Sequence, residues 1–239
     1  MLSKNQRKQI LQLSQKKHRV TQGLFVAEGE KVVTELLDSA WEFVSLFAIE
    51  PEFHSNAEKI SWEEMKQITH FKTASPVLGV FKIRAEQPIL GEPITLAVDG
   101  VRDPGNLGTL IRLCDWFGLS ELICSQTTVD CYNTKVIQAS MGSMVRVQCH
   151  YVPDLGTTLD ALNKPIYGAV AREESIYTTK LPEKASFVFG SESHGISGEV
   201  SAQLSNLISI PNFRNGNQAE SLNVATAAAI VLSEIFRTR

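Results

Sequence analysis

ITLAVDGVRDPGNLGTLIRLCDWFGLSELICS, residues 94–125, decides how the rest of this 239-residue chain is read. Its ends are two short apolar runs, ITLAVDGV and SELICS. Between them, Leu110, Ile111, Cys114 and Phe117 recur at helical spacing. A Val/Ile/Leu run without polar alternation is buried on both faces, as parallel strands are. The pattern continues. VRVQCHYV, IYGAVA, ASFVFG and LISIP read as strands, separated by the helices TKVIQAS, LGTTLDALN, SGEVSAQL and SLNVATAAAIVLSEIF. The expected fold class is α/β, a mostly parallel sheet with helices on both faces.

Upstream lies AEQPILGEP, residues 85–93, with two prolines, a glycine and no periodicity. It reads as a linker. The expected division is a small α/β domain over 1–85, a linker over 86–93 and the second domain over 94–239. In the first domain we expect one helix over about 3–18. GLFVAEGEKVVTELLDS gives a strand or loop entering a helix, EFVSLFAI a strand, SWEEMKQI a short helix and VLGVFKI a closing strand.

The net charge is −3, which argues against a strong nonspecific nucleic-acid binder. Its distribution is uneven. Lys4, Arg7, Lys8, Lys16, Lys17 and Arg19 precede the first acid, Glu28. A basic end on an acidic body is the pattern of a local phosphate-binding patch, and equally of a solvated helix face. Four cysteines without C-x-x-C spacing imply reduced thiols in a cytoplasmic protein and no metal site. No apolar run reaches the roughly 18 residues of a membrane span, and no secretory signal opens the chain.

Ligands of parallel sheets bind at the C-terminal ends of the strands, and three polar, glycine-marked segments follow such ends. In DGVRDPGNLGTLIRLCDWFG, residues 99–118, Asn106 reads as the helix N-cap and Arg112 lies off the center of the apolar stripe. In FVFGSESHGIS, residues 187–197, Gly190 would admit a ligand close to the backbone. Glu192 would brace the loop by accepting backbone amides. In ISIPNFRNGNQAESLNVATAAAI, residues 208–230, Ser221 reads as the N-cap, and the alanines leave a thin helix face suited to close packing. Neither the dinucleotide-binding fingerprint nor the P-loop is present, which speaks against a Rossmann-like oxidoreductase. No Ser/His/Asp trio or metal-ligand spacing stands out.

Taken together the segments resemble the SpoU (TrmH-like) RNA ribose 2′-O-methyltransferases of the SPOUT class. N-x-G-x-x-x-R is carried by Asn106, Gly108 and Arg112; G-x-E-x-x-G by Gly190, Glu192 and Gly195. I-P…S-L-N-V is carried by Ile210, Pro211, Ser221, Leu222, Asn223 and Val224. The match spans about 93–239; the loop from Pro211 to Ser221 is a few residues longer than the family pattern. The first 85 or so residues look more loosely like the substrate-binding domain of the family, which is similar to RNA-binding ribosomal proteins.

The resemblance implies a C-terminal trefoil knot and S-adenosyl-L-methionine bound by main-chain groups near Gly190, Ile210 and Leu222. It implies an RNA substrate, rRNA before tRNA, and a homodimer with the active site near the subunit interface. The family assigns the general-base role to the motif arginine. Arginine stays protonated at ordinary pH, so Arg112 is expected to grip the phosphate beside the target ribose and stabilize charge on its oxygen. Asn106, Glu192, Ser221 and Asn223 would hold Arg112, the loops and the ribose in register; His150 and His194 are not expected to carry protons. Two rivals keep the fold. One is a catalytically silent RNA-binding protein, which the retention of Arg112 and Asn223 argues against. The other is a base methyltransferase, against which the N-x-G-x-x-x-R and S-L-N-V pair favors ribose.

Overall fold

The computed structural model describes residues 2–171, 173–213 and 221–237, and the statements below concern these. The chain divides into two compact units. One comprises 1–85 together with 130–145, the other 86–129 together with 146–239. The segment 130–145, read from sequence as part of the second domain, thus packs with the first.

The first unit begins with α1 (Lys4–Gln12) and α2 (Lys16–Gln22). The single helix expected over 3–18 is broken. The reason is Arg19, whose Nη1 donates to the carbonyls of Leu13 and Ser14 at 2.8 and 2.9 Å. These are end-of-helix acceptors without an intrahelical partner. The same guanidinium pairs with Asp130 at 2.6 Å. Next come β1 (Leu24–Glu28), α3 (Glu30–Asp38), β2 (Phe43–Ala48), β3 (Glu58–Lys59), α4 (Trp62–Lys66) and β4 (Val77–Lys82).

The sheet order is β1-β4-β2-β3, antiparallel except for the short β2–β3 pair. Strand alternation sends Leu24 and Val26 into a core with Ile10, Leu13, Met65 and Leu78. Phe25 points the other way. Its ring meets Phe81, Trp41 and Tyr132, with the Tyr132 centroid 4.9 Å away. Tyr132 leads into α6 (Thr134–Ser140), which packs on β1. A strand buried on both faces needs cover on both, and 130–145 supplies part of the second.

The second unit holds six parallel strands. They are β5 (Ile94–Asp99), β6 (Glu121–Ser125), β7 (Gln148–Val152), β8 (Ile166–Ala169), β9 (Ala185–Gly190) and β10 (Asn206–Ile208). Their order is β10-β8-β9-β5-β6-β7. This is the expected α/β class. On one face Ala97, Ile123, Val188, Leu155, Leu159 and Val200 form a core under α7 (Leu155–Asp160) and α8 (Gly198–Ser201). Elsewhere α5 (Pro104–Trp116) packs against α9 (Val224–Phe236), with Phe117 and Phe236 rings 5.3 Å apart. Among the described residues no helix is long and apolar enough to cross a membrane. The strand order sets the ends of β8, β9 and β10 side by side, at Ala169, Gly190 and Ile208.

Candidate functional site

Two caps differ from the sequence reading, and both differences free polar groups for the site. Helix α5 is capped by Asp103, whose Oδ1 accepts from the backbone N–H of Asn106 at 2.9 Å. Pro104 occupies the first turn, where no N–H is needed. The Asn106 side chain is therefore not consumed by the helix end. Helix α9 is capped by Asn223, not Ser221. Asn223 Oδ1 accepts from Ala225 N and Thr226 N at 3.1 and 3.2 Å.

That cap fixes which end of the Asn223 amide faces outward. With Oδ1 on the helix end, Nδ2 donates to Asn106 Oδ1 and to Glu192 Oε1, each at 2.8 Å. Asn106 Nδ2 donates to the same Glu192 oxygen at 2.9 Å. Three residues from three strand-following segments thus close a ring of hydrogen bonds. A carboxylate is the acceptor best suited to two amide donors, because bonds to a charged acceptor are shorter and stronger. Glu192 was expected to accept backbone amides; it takes side-chain amides instead, so it ties segments together rather than bracing its own loop.

The Glu192 loop is held by other means. Ser191 N donates to Gly195 O at 3.0 Å and Gly195 N to Ser191 O at 2.8 Å. Gly195 has φ +66°, and a Cβ on Gly190 would stand 2.1 Å from the Gly195 carbonyl carbon. This fold-back of its own chain by itself demands a glycine at 190. Asp99, at the end of β5, accepts from Ser197 N at 2.8 Å and anchors the far side of the loop.

Beside the ring opens a cavity of about 830 Å³, within the range of small-molecule sites. Gly190, Glu192, Ile210, Ser221 and Leu222 all line it, so every residue expected to hold the cofactor is at its wall. The rest of the wall is largely apolar, including Phe189, Ile208, Val224 and Val231. Glu173, Ser175 and Ile176 also face the cavity and were missed. Their loop carries no glycine or motif mark. It is pinned by Ser209, whose Oγ donates to Glu173 O at 2.6 Å and whose N–H donates to Glu174 O at 2.7 Å.

The remaining expected residues fall differently. Arg112 is exposed on α5, and is neither part of the cavity wall nor bonded to Asn223. Its guanidinium has no hydrogen bond or ion pair among the described residues. His194 is exposed, with Nδ1 2.7 Å from Ser193 Oγ. His150 is buried on β7, where Nε2 lies 3.7 Å from Glu121 Oε2. Burial pushes its pKa down, with Glu121 opposing. Neither histidine lines the cavity.

In the first unit, Lys4, Arg7, Lys8, Lys16 and Lys17 are exposed. Arg19 is not: it is 2% exposed and committed to Asp130, Leu13 and Ser14. It is removed from the expected RNA-contacting set, because a guanidinium buried against these partners is not open to a phosphate. Gly216 and Glu220 lie outside the described residues.

Residues 93–233 match the SpoU rRNA methylase family, and residues 4–79 match the MRM3-like substrate binding domain. The chain is 29% identical over 242 residues to the 23S rRNA (guanosine(2553)-2′-O)-methyltransferase RlmP of Bacillus subtilis, covering 96% of each chain. It is 32% identical over 153 residues to RlmB of Neisseria meningitidis, a 23S rRNA (guanosine-2′-O-)-methyltransferase, covering 62% of this chain and 59% of that one. Among solved structures, an RNA methyltransferase assigned to the TrmH family from Porphyromonas gingivalis superposes with TM-score 0.89 at 36% identity, over 100% of both chains. An AdoMet-bound rRNA methyltransferase from Sinorhizobium meliloti gives 0.87 at 27% identity, over 100% of this chain and 96% of that one. With its three motifs joined at one site and 93–233 matched throughout, this chain belongs to the SpoU rRNA methylase family.

Proposed function

We propose that this protein is an S-adenosyl-L-methionine-dependent methyltransferase acting on a ribose 2′-OH of structured RNA, rRNA in preference to tRNA. The observation that carries the reading is the Asn106–Glu192–Asn223 ring, whose Glu192 is also part of the cavity wall. The relatives named above support rRNA as substrate, and the AdoMet-bound neighbor supports the cofactor.

The cofactor, when bound, supplies a methyl group on a sulfonium. Gly190, Ile210 and Leu222 would hold it through backbone and apolar contact. Glu192 and Ser221 stand at the same wall. The ring makes the motif segments one rigid rim, so that the 2′-OH meets a fixed surface. Rigid placement alone lowers a barrier by several kcal/mol. Arg112, exposed on α5, grips the phosphate next to the target ribose and stabilizes charge on the oxygen as its proton departs. Lys4, Arg7, Lys8, Lys16 and Lys17 add phosphate contacts from the first unit. All four cysteines are thiols, as an enzyme of the cytoplasm would keep them. The trefoil knot is carried over from the family.

Labeled S-adenosylmethionine with total rRNA and tRNA tests the reading. Digestion should release labeled 2′-O-methylnucleosides from rRNA. Arg112→Ala should lower kcat about 10²–10³-fold with cofactor affinity retained. Label in neither RNA class, or an Arg112→Ala variant as active as wild type, rejects it. We also propose a homodimer. Trp116, one turn beyond Arg112 on α5, is 84% exposed, a large ring that a subunit contact on this face would cover. Trp116→Glu should shift sedimentation from dimer to monomer; an unchanged dimer would mean another face.

A further inference from the structure

The first unit holds a second recess, of about 380 Å³, lined by no residue of the basic helices. It is lined by Phe71, Thr73 and Ser75 from the segment before β4, and by Lys135, Gln138 and Ala139 from α6. Its inventory is specific: one aromatic ring, two hydroxyls, one carboxamide and one charged group, a cation. No acid lines it. A ring offers a stacking face, an ammonium a phosphate partner, and hydroxyl and amide groups can meet a base edge or a 2′-OH.

The wall bearing Phe71 is built, not incidental. Glu28 is 3% exposed. Its Oε2 accepts from Thr69 Oγ1 at 2.5 Å and its Oε1 from His70 N at 2.7 Å. Thr69 Oγ1 in turn accepts from Phe71 N at 3.1 Å. His70 Nε2 lies 2.9 Å from Ile10 O, against α1. A buried carboxylate is costly unless its bonds are made. Here it is spent on fixing three consecutive residues that end at an aromatic ring. The other wall is α6, the segment inserted into this unit from the middle of the second unit's sequence.

We infer that this recess binds one unpaired nucleotide of the RNA substrate, its base stacked on Phe71 and its phosphate paired with Lys135. The inference rests on the RNA reading above and adds a site in the first unit to it. A cationic, acid-free groove on a unit that matches a substrate-binding domain favors a nucleotide over an acidic or apolar peptide. Duplex RNA cannot enter, because its bases are stacked and paired.

The probes are a fluorescent 12-nucleotide oligo(U) and a 12-base-pair RNA duplex, titrated with the full-length protein. Phe71→Ala should raise the oligo(U) Kd about tenfold and leave duplex affinity unchanged. Phe71→Trp should restore binding, whereas Phe71→Leu, which keeps bulk, should not. Lys135→Gln should flatten the slope of log Kd against log salt by about 0.7. Cofactor affinity and thermal midpoint should match wild type throughout. If a folded Phe71→Ala binds oligo(U) like wild type, or loses oligo(U) and duplex equally, the recess is not a nucleotide site. Cross-linking of 4-thiouridine-substituted oligo(U) only outside Phe71 and α6 would also overturn it. The two readings fail separately. Wild-type methyl transfer to rRNA with no Phe71 effect removes the recess alone. Phe71-dependent oligo(U) binding with no transfer to any RNA removes the methyltransferase alone.

Discussion

At the residue scale, the ring depends on one side chain with two tasks. Asn223 caps α9 through Oδ1 and joins Asn106 and Glu192 through Nδ2. The tasks can be separated. Asn223→Asp keeps an acceptor for the helix end, which tolerates a negative charge there. It replaces the amide donor by a second carboxylate facing Glu192. We expect stability near wild type and kcat about 10²-fold lower, the scale of a misplaced site. Asn223→Ala loses both tasks and should cost about 1 kcal/mol besides. Urea unfolding beside kinetics checks this. If Asn223→Asp is as active as wild type, the ring does not position the site. Asn106, Glu192 and Asn223 were all legible in the sequence as motif members. Their partners were not, because Asp103 and Asn223 took the caps read onto Asn106 and Ser221.

At the scale of elements, the stretch read as a linker is fastened at its end. Glu121, 1% exposed at the start of β6, accepts from Leu90 N, Gly91 N and Glu92 N. Glu92 accepts from Ser120 N and Oγ, and Lys164 donates to Glu92 O and to Thr95 Oγ1. The absence of periodicity in AEQPILGEP was visible; its docking on an acidic side chain thirty residues later was not. Glu121→Ala strands three backbone donors and should cost about 2–3 kcal/mol, read as a lower urea midpoint with an unchanged slope. A midpoint within error of wild type would mean that this clasp is dispensable. The helix break at residues 13–15 has the same character. Its local sequence continues a helix, and a distant acid, Asp130, helps to place the Arg19 guanidinium that ends it.

At the scale of the whole molecule, buried titratable groups set how stability depends on pH. Burial holds the His70 and His150 imidazoles below their ordinary pKa of 6.5. The unfolded chain therefore takes up these protons first as pH falls through about 6.5. Their contribution is fully present above that pH and is lost as pH drops toward the folded values. Glu28 acts in the opposite sense. Burial raises its carboxyl pKa above 4.5, so its contribution is present in acid and lost as pH rises through the folded value. The net expectation is an acid limb beginning near pH 6.5, partly offset by Glu28. Urea midpoints at pH 8, 6.5 and 5.5 should fall in that order. A His70→Gln, His150→Gln double variant should fall less steeply. An equally steep fall in the variant would assign the acid limb to other groups.

What the sequence determined by itself was the order of strands and helices after residue 93, the parallel character of the larger sheet and the identity of the motif residues. The first two follow from period, breakers and residue type, which act between chain neighbors; the motif residues follow from the family resemblance. Only the tertiary structure decided three other things: that 130–145 completes the first unit, that Arg19 is buried rather than free for RNA, and that Asn106, Glu192 and Asn223 close one ring. Each rests on partners far apart in the chain. Arg19 and Asp130 are 111 residues apart, and Asn106 and Asn223 are 117 apart. Local pattern specifies which polar side chain is available. Which distant group satisfies it is fixed by packing, because a polar atom drawn from water must take the partner that the fold brings within reach.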